Sequence, residues 1–180
     1  MKTQVVLAAA SAALAAVLAG CATQEVKTAS IPDTLRVPSD QMLSREVHAT
    51  GVQIYECQPS KTDASRMEWV LKGPEADLFD KSGAKFGRHY AGPTWEANDG
   101  SKVVGAMKAR DDGPDPNAIP WLLLTAASSS PSGTLGRTVS VQRLRTVGGK
   151  APADGCIAGQ AGREARVPYS ADYLFYVARS

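Results

Sequence analysis

The stretch Thr94-Trp95-Glu96-Ala97-Asn98-Asp99-Gly100-Ser101-Lys102-Val103-Val104-Gly105-Ala106-Met107-Lys108 decides the fold class. Asp-Gly between two strand-like runs is a strong short-range signal for a β-hairpin, because the tight turn needs positive φ where Gly carries no Cβ penalty. Outward from this hairpin the body repeats the same grammar. Gly and Pro recur roughly every 8 to 15 residues, and short runs of β-branched, aromatic and aliphatic residues lie between them, the pattern of an all-β domain. Val47 to Cys57 is one such run, with Gly51 the expected bulge or bend. Met67, Trp69 and Leu71 alternate with Glu68, Val70 and Lys72 until Gly73-Pro74, which is expected to end the strand. Pro74 to Phe79 has the make-up of a single helical turn.

Asp80-Lys81-Ser82-Gly83 is turn chemistry, and Asp111 to Ala118 is a Pro-rich loop. Ile119 to Ala127, with Trp121-Leu122-Leu123-Leu124 at its centre, is apolar on both faces, as a buried strand is. Thr138 to Thr146 is a further strand. Tyr173-Leu174-Phe175-Tyr176-Val177 is again apolar on both faces and is expected to lie centrally in a sheet. About eight strands predict an all-β single domain, a sandwich or a small barrel with long Gly/Pro-rich loops.

The N-terminus has a different logic. After Lys2 no charge occurs until past Thr23, and Val5 to Leu18 is an alanine-rich apolar run. A short positive segment followed by an apolar core of that length predicts an export signal. Leu18-Ala19-Gly20-Cys21 follows directly and resembles the lipobox of bacterial lipoproteins. The resemblance implies cleavage before Cys21, acylation of that cysteine, and anchoring by more chains than the single one that gives marginal binding. The competing reading is an uncleaved membrane helix, for which about 20 uncharged residues are long enough; the weak hydropathy of alanine and the placement of Cys21 speak against it. Ala22, rather than Asp, implies by enterobacterial sorting rules a destination on the periplasmic side of the outer membrane. The expected organisation is thus a signal at 1–20, a lipidated N-terminus and tether at 21–45 and a β-domain at 46–180, with the tether from Ile31 onward docking on the domain.

Of 180 residues, 20 are Lys or Arg and 18 Asp or Glu, and losing Lys2 with the leader brings the excess to a single cation. Nothing in that balance points to nucleic acid, which calls for a clustered basic surface. Beyond Cys21 the cysteines are Cys57 and Cys156. In an oxidising compartment their simplest fate is a disulfide, closing a loop worth roughly 4 to 5 kcal/mol in the chain-entropy model. Two free thiols, or a Cys57 nucleophile served by His48, are the alternatives.

Several stretches together resemble one family of exported proteins, the domain of unknown function 3455: Gly51-Val52-Gln53-Ile54-Tyr55-Glu56-Cys57, Trp69 with Gly73-Pro74-Glu75-Ala76, His89 through Glu96, Asp99-Gly100-Ser101, Ile119-Pro120-Trp121-Leu122-Leu123, Gln142-Arg143, Gly148-Gly149 and Cys156. The resemblance spans nearly all of the expected domain and implies no activity. A malate dehydrogenase label attached to some fungal members does not transfer: the chain contains no Gly-x-Gly-x-x-Gly and no strand–helix alternation to seat a dinucleotide.

Chemistry, if present, is expected in Gly87 to Ser101, the densest polar and aromatic stretch. His89, Tyr90, Trp95, Glu96 and Asp99 are the candidate ligand-binding residues: an aromatic platform flanked by carboxylates suits a saccharide or another small ligand. The same residues also suit a bent hairpin with Trp95 in the core and its charges in water. With only His48 and His89 as imidazoles, a metal site would require their two strands to meet; no metal and no cofactor is expected. No Gly-x-Ser-x-Gly elbow occurs, and Ser101 and Ser170 carry no local mark of activation. Arg143 and Arg145 share one face of a strand and could face a ligand, although solvated edge cations that discourage sheet pairing are commoner. The expectation is a lipid-anchored envelope protein that binds a ligand or partner or supports the envelope without catalysis. Its competitor is an envelope hydrolase or metal-dependent enzyme using His89 with Glu96 or Asp99. A deep pocket uniting those groups would favour the enzyme, and an exposed Trp95 on a shallow surface would favour binding.

Overall fold

The computed structural model describes residues 30–179; the expected leader and Cys21 lie outside them. The described chain is all-β. Strands β1 (Gln41–Pro59), β2 (Met67–Phe79), β3 (Lys85–Tyr90), β4 (Thr94–Ala97), β5 (Lys102–Asp111), β6 (Trp121–Ser129), β7 (Thr138–Gly148) and β8 (Glu164–Ala178) follow one another up and down. Each pairs antiparallel with the next, and β8 returns to β1, so the single sheet closes on itself as a barrel without an edge. Two single 3-10 turns, Asp33–Leu35 and Ala158–Gln160, are the only helical elements among the described residues. Arg145 and Arg143 therefore sit on no sheet edge, contrary to expectation.

Closure needs curvature, and the register shifts supply it: between Ile54 and Tyr55 opposite β2, between Val104 and Gly105 and between Met107 and Ala109 opposite β6, and between Leu144 and Val147 opposite β8. The bend in β1 is at Ile54/Tyr55 and not at Gly51. A Cβ at Gly51 would stand 2.2 Å from the Glu75 carbonyl oxygen, so Gly51 permits close approach of the paired strand instead. Gly73-Pro74 does not end β2, and Pro74 to Phe79 is strand instead of a helical turn. The ladder crosses the two residues because Lys72 is the extra residue of the bulge. β8 starts nine residues before Tyr173, and β1 begins at Gln41, inside the stretch expected to be tether.

Period-two alternation sorts side chains between the interior and the outer face. Inside, one half of the ring is filled by Leu78, Val103, Val141 and Phe175, capped by Leu135 from the β6–β7 loop. Burial of each such side chain contributes roughly 1.5–3 kcal/mol. The double-sided apolarity of β6 and β8 has a second cause on the outer face. Trp121, Leu123, Leu144 and Leu174 are covered there by the segment preceding β1, whose Leu35 is fully buried. The buried Gln142 holds that segment down: its Nε2 donates to the Leu35 carbonyl at 2.6 Å, and its Oε1 accepts from the Tyr176 hydroxyl at 2.6 Å. Docking from Ile31 onward was the expectation, and this is its form.

Cys57 and Cys156 form a disulfide. It ties the end of β1 to the β7–β8 connection, which is also held by Tyr55 Oη donating to Gly149 O at 2.7 Å and Trp69 Nε1 donating to Asp154 O at 2.8 Å.

Candidate functional site

The half of the ring not filled by aliphatic side chains encloses a cavity of about 580 Å³. It lies toward the end formed by the β3–β4 turn, the β5–β6 loop and the β1–β2 pairing. Its wall is mostly apolar, from Ile119, Leu122, Leu124 and Pro93, and two large apolar side chains stand at the rim in water, Leu71 at 52% and Met107 at 65% exposure. A volume in the range of ligand pockets with a few convergent polar groups is what a small-molecule site requires.

The polar groups come from strands that meet across the interior. On β3 and β4, His89 faces Trp95 in register, and their rings stack at 4.5 Å with 8° between planes. Tyr173 of β8 meets both edge-on, at 4.9 Å from His89 and 5.2 Å from Trp95. Gly105 makes room for this layer, since a Cβ there would stand 3.0 Å from the Trp95 ring. His89 Nδ1 lies 2.8 Å from the Thr94 carbonyl oxygen. A carbonyl only accepts, so Nδ1 carries the proton and Nε2 is left as a bare acceptor. Burial, aided by the positive charge of Arg143, pushes the His89 pKa down to about 3 against the pull of the Thr94 carbonyl, so the imidazole is neutral at ordinary pH.

Arg143 takes the less favoured of the two placements expected for it. It is half-buried and lines the cavity, with Nε donating to the Pro120 carbonyl at 3.0 Å. That bond is available because the Ala118–Pro120 segment is pinned to β7, Ile119 N donating to Gly148 O and Thr146 Oγ1 to Ile119 O. Arg143 makes no salt bridge among the described residues, whereas the cavity's other cations do: Lys72 pairs with Glu56 and Glu164, and Arg110 with Asp112. No lining residue is acidic. The guanidinium's field is felt by Tyr55, His89, Tyr169 and Tyr173, and burial raises the pKa of the three tyrosines above the usual phenol range. Gln53 Nε2 and Trp95 Nε1 are buried without a hydrogen-bond partner among the described residues, and the buried hydroxyls of Tyr169 and Tyr173 lie beside one another. Unpartnered buried polar atoms are uncommon, and each costs about 1–3 kcal/mol.

Arg145 belongs elsewhere. A left-handed φ of 49° turns it outward, where it pairs with Asp172 and Glu46. Signals for Arg143 did exist in the sequence: it shares its period-two face with Val141, and it sits in a strand flanked by segments apolar on both faces.

Of the expected site residues, the fold unites two. His89 and Trp95 share the interior. Tyr90 and Glu96, one residue on, point outward, where Tyr90 Oη donates to Glu96 Oε2 at 2.8 Å and Arg88 and Lys102 approach the same oxygen. These bonds, that from Tyr90 first, hold the Glu96 carboxyl below its ordinary pKa. Asp99 is a turn clamp: it accepts from Ser101 N and Oγ at 2.9 and 2.6 Å and from Thr134 N and Oγ1 at 2.7 Å each, which lowers its pKa strongly. Neither carboxylate approaches His89. Trp95 is 1% exposed, so it forms no open platform; it walls a cavity.

His48 lies on the outer face of β1, 2.6 Å from Asp172, while His89 lies inside on β3, so the two imidazoles do not meet. Among the described residues no three His, Cys, Asp or Glu side chains gather in a metal-binding group, and no helix is long and apolar enough to cross a membrane. The family model described as "Protein of unknown function (DUF3455)" matches residues 38–177. No curated protein and no solved structure matches the chain.

Proposed function

We propose that this chain, which belongs to the DUF3455 family of proteins of unknown function, is a lipid-anchored envelope protein that binds a small ligand inside its closed ring. The observation carrying the binding reading is the cavity of about 580 Å³ with an apolar wall, backed by a packed layer in which Gln53 Nε2 and Trp95 Nε1 have no hydrogen-bond partner among the described residues. A core built only for stability would fill such a space or satisfy such atoms. The wall favours a ligand with an apolar body over a saccharide, whose ring of hydroxyls would meet mostly aliphatic carbon.

The address rests on Leu18-Ala19-Gly20-Cys21 and the apolar run before it, with Ala22 favouring the periplasmic side of the outer membrane. The outer face supports a domain standing in water beside the membrane: it carries ion pairs such as Lys85–Asp77, Arg166–Glu75 and Arg88–Glu96, where a membrane-spanning ring presents an apolar band.

Two measurements test the two halves. Cys21→Ser is expected to move the protein out of the membrane fraction or to leave it uncleaved and unlabelled by radioactive palmitate; continued palmitate incorporation by the variant would refute the anchor. For the cavity, the full chain in non-ionic detergent is titrated calorimetrically with 4-butylbenzyl alcohol, 4-butylbenzoate and 4-butylbenzylamine. Saturable one-to-one binding of at least one is expected, weakened about tenfold or more in Met107→Trp, which narrows the rim at an exposed position without touching the core. Absence of saturable binding by all three would sink the reading.

A further inference from the structure

We infer that the cavity ligand is an anion, a monocarboxylate with an apolar body, whose head group is taken by Arg143 inside the ring. The inference rests on the ligand-binding reading above and adds the chemistry of the head group.

Three observations converge on it. The first is charge: Lys72, Arg110 and Arg143 line the cavity, no carboxylate does, and Arg143 alone of the three lacks an acidic partner among the described residues. A guanidinium withdrawn from bulk water loses hydration that only an opposite charge or several acceptors can replace. Nothing in the wall supplies the charge.

The second is polarity of the hydrogen-bonding groups. The guanidinium of Arg143 presents only donors at the cavity wall, its Nε given to the Pro120 carbonyl and its Nη groups facing no carboxylate among the described residues. These donors point to a ligand group rich in acceptors, and a carboxylate is the compact one that a planar guanidinium binds through two parallel bonds. With one unpaired cation the site balances a single negative charge; a phosphate monoester would bring more charge than Arg143 offsets.

The third is the arrangement of apolar surface. Arg143 Nε is committed to Pro120, which fixes the guanidinium at the wall, while Leu71 and Met107 at the rim and Leu122 and Leu124 in the wall offer apolar surface. A head group at Arg143 leaves the rest of a ligand against these side chains. Shape and charge together describe an amphiphile lying in the ring with its acid group held inside.

The same titration decides the matter, because the three probes share one apolar body and differ in head charge. In the wild-type chain 4-butylbenzoate is expected to bind about 30-fold tighter than 4-butylbenzyl alcohol, with the amine weakest. In Arg143→Gln the acid is expected to fall to within about threefold of the alcohol, whose own affinity stays unchanged; Arg143→Lys keeps part of the preference. An alcohol binding as tightly as the acid in the wild-type chain, or an acid preference surviving Arg143→Gln, would overturn the inference while leaving the cavity reading intact. Failure of all three probes removes the cavity reading itself. The wild-type ranking decides on its own even where Arg143→Gln does not fold.

Discussion

His89 shows how one buried side chain sets a response to pH. Its folded pKa of about 3 lies below the unfolded value near 6.5 because burial disfavours the imidazolium. Between those values the unfolded chain holds a proton that the folded chain does not, so stability is full above pH 6.5 and declines as pH falls toward 3. The decline is on the order of 4 kcal/mol across the window, and urea unfolding from pH 7 to pH 4 is expected to show it. His89→Phe is expected to flatten that limb while lowering stability at pH 7, since the Thr94 carbonyl loses its donor. Carboxylates with lowered pKa, such as Glu96 and Asp99, act on the other side: their contribution is present above about pH 4 and is lost only below it. Arg143 makes the opposite kind of prediction. Its guanidinium sits half-buried without a counter-charge, so Arg143→Met is expected to leave the thermal midpoint of the unliganded protein unchanged or raised by a few degrees, although one bond to Pro120 is lost. A substitution that removes the preference for an acid while sparing stability is the mark of a residue kept for its ligand.

At the level of elements, two contacts carry testable weight. Gly51→Ala places a Cβ against the Glu75 carbonyl and Ala76, and the β1–β2 pair opens by a few tenths of an ångström or more; a loss of about 3 kcal/mol in chemical unfolding is expected. Gln142→Ala strips the Leu35 carbonyl of its donor and Tyr176 of its acceptor. About 2 kcal/mol is lost, and hydrogen exchange at the Leu35 and Arg36 amides accelerates at least tenfold while exchange within β1 and β8 does not change. The strands themselves were legible because Gly, Pro and alternation are local signals: Asn98-Asp99-Gly100 is the turn joining β4 to β5, and the Met67–Leu71 alternation and the doubly apolar Trp121–Leu124 run are strand. What alternation leaves undetermined is which face looks inward. The fold divides the stretch Gly87 to Ser101, because a strand sends neighbours to opposite sides: His89 and Trp95 enter the interior, and Tyr90 and Glu96 do not. For Arg143 the sequence leaves both placements open, because a cation in a strand is ordinarily solvated and only the ring's closure encloses it.

For the whole molecule, sandwich and barrel differ solely in whether the first strand meets the last, a pairing of residues more than a hundred positions apart that no local pattern reports. The disulfide was legible from cysteine arithmetic, and its loop of 99 residues predicts that reduction, or Cys57→Ala with Cys156→Ala, lowers unfolding free energy by roughly 4 kcal/mol. The comparison of oxidised and reduced protein in urea checks it; an unchanged midpoint would mean the bridge stabilises nothing. Closure by β8 also has a bearing on timing. Its fifteen residues follow the other seven strands in chain order, and until they pair β1 lacks its second neighbour and the interior lacks a wall carrying Tyr169, Tyr173 and Phe175. A ring of this topology cannot shut until its eighth strand meets its first, so the chamber comes into being in one late step and encloses what surrounds the chain at that moment.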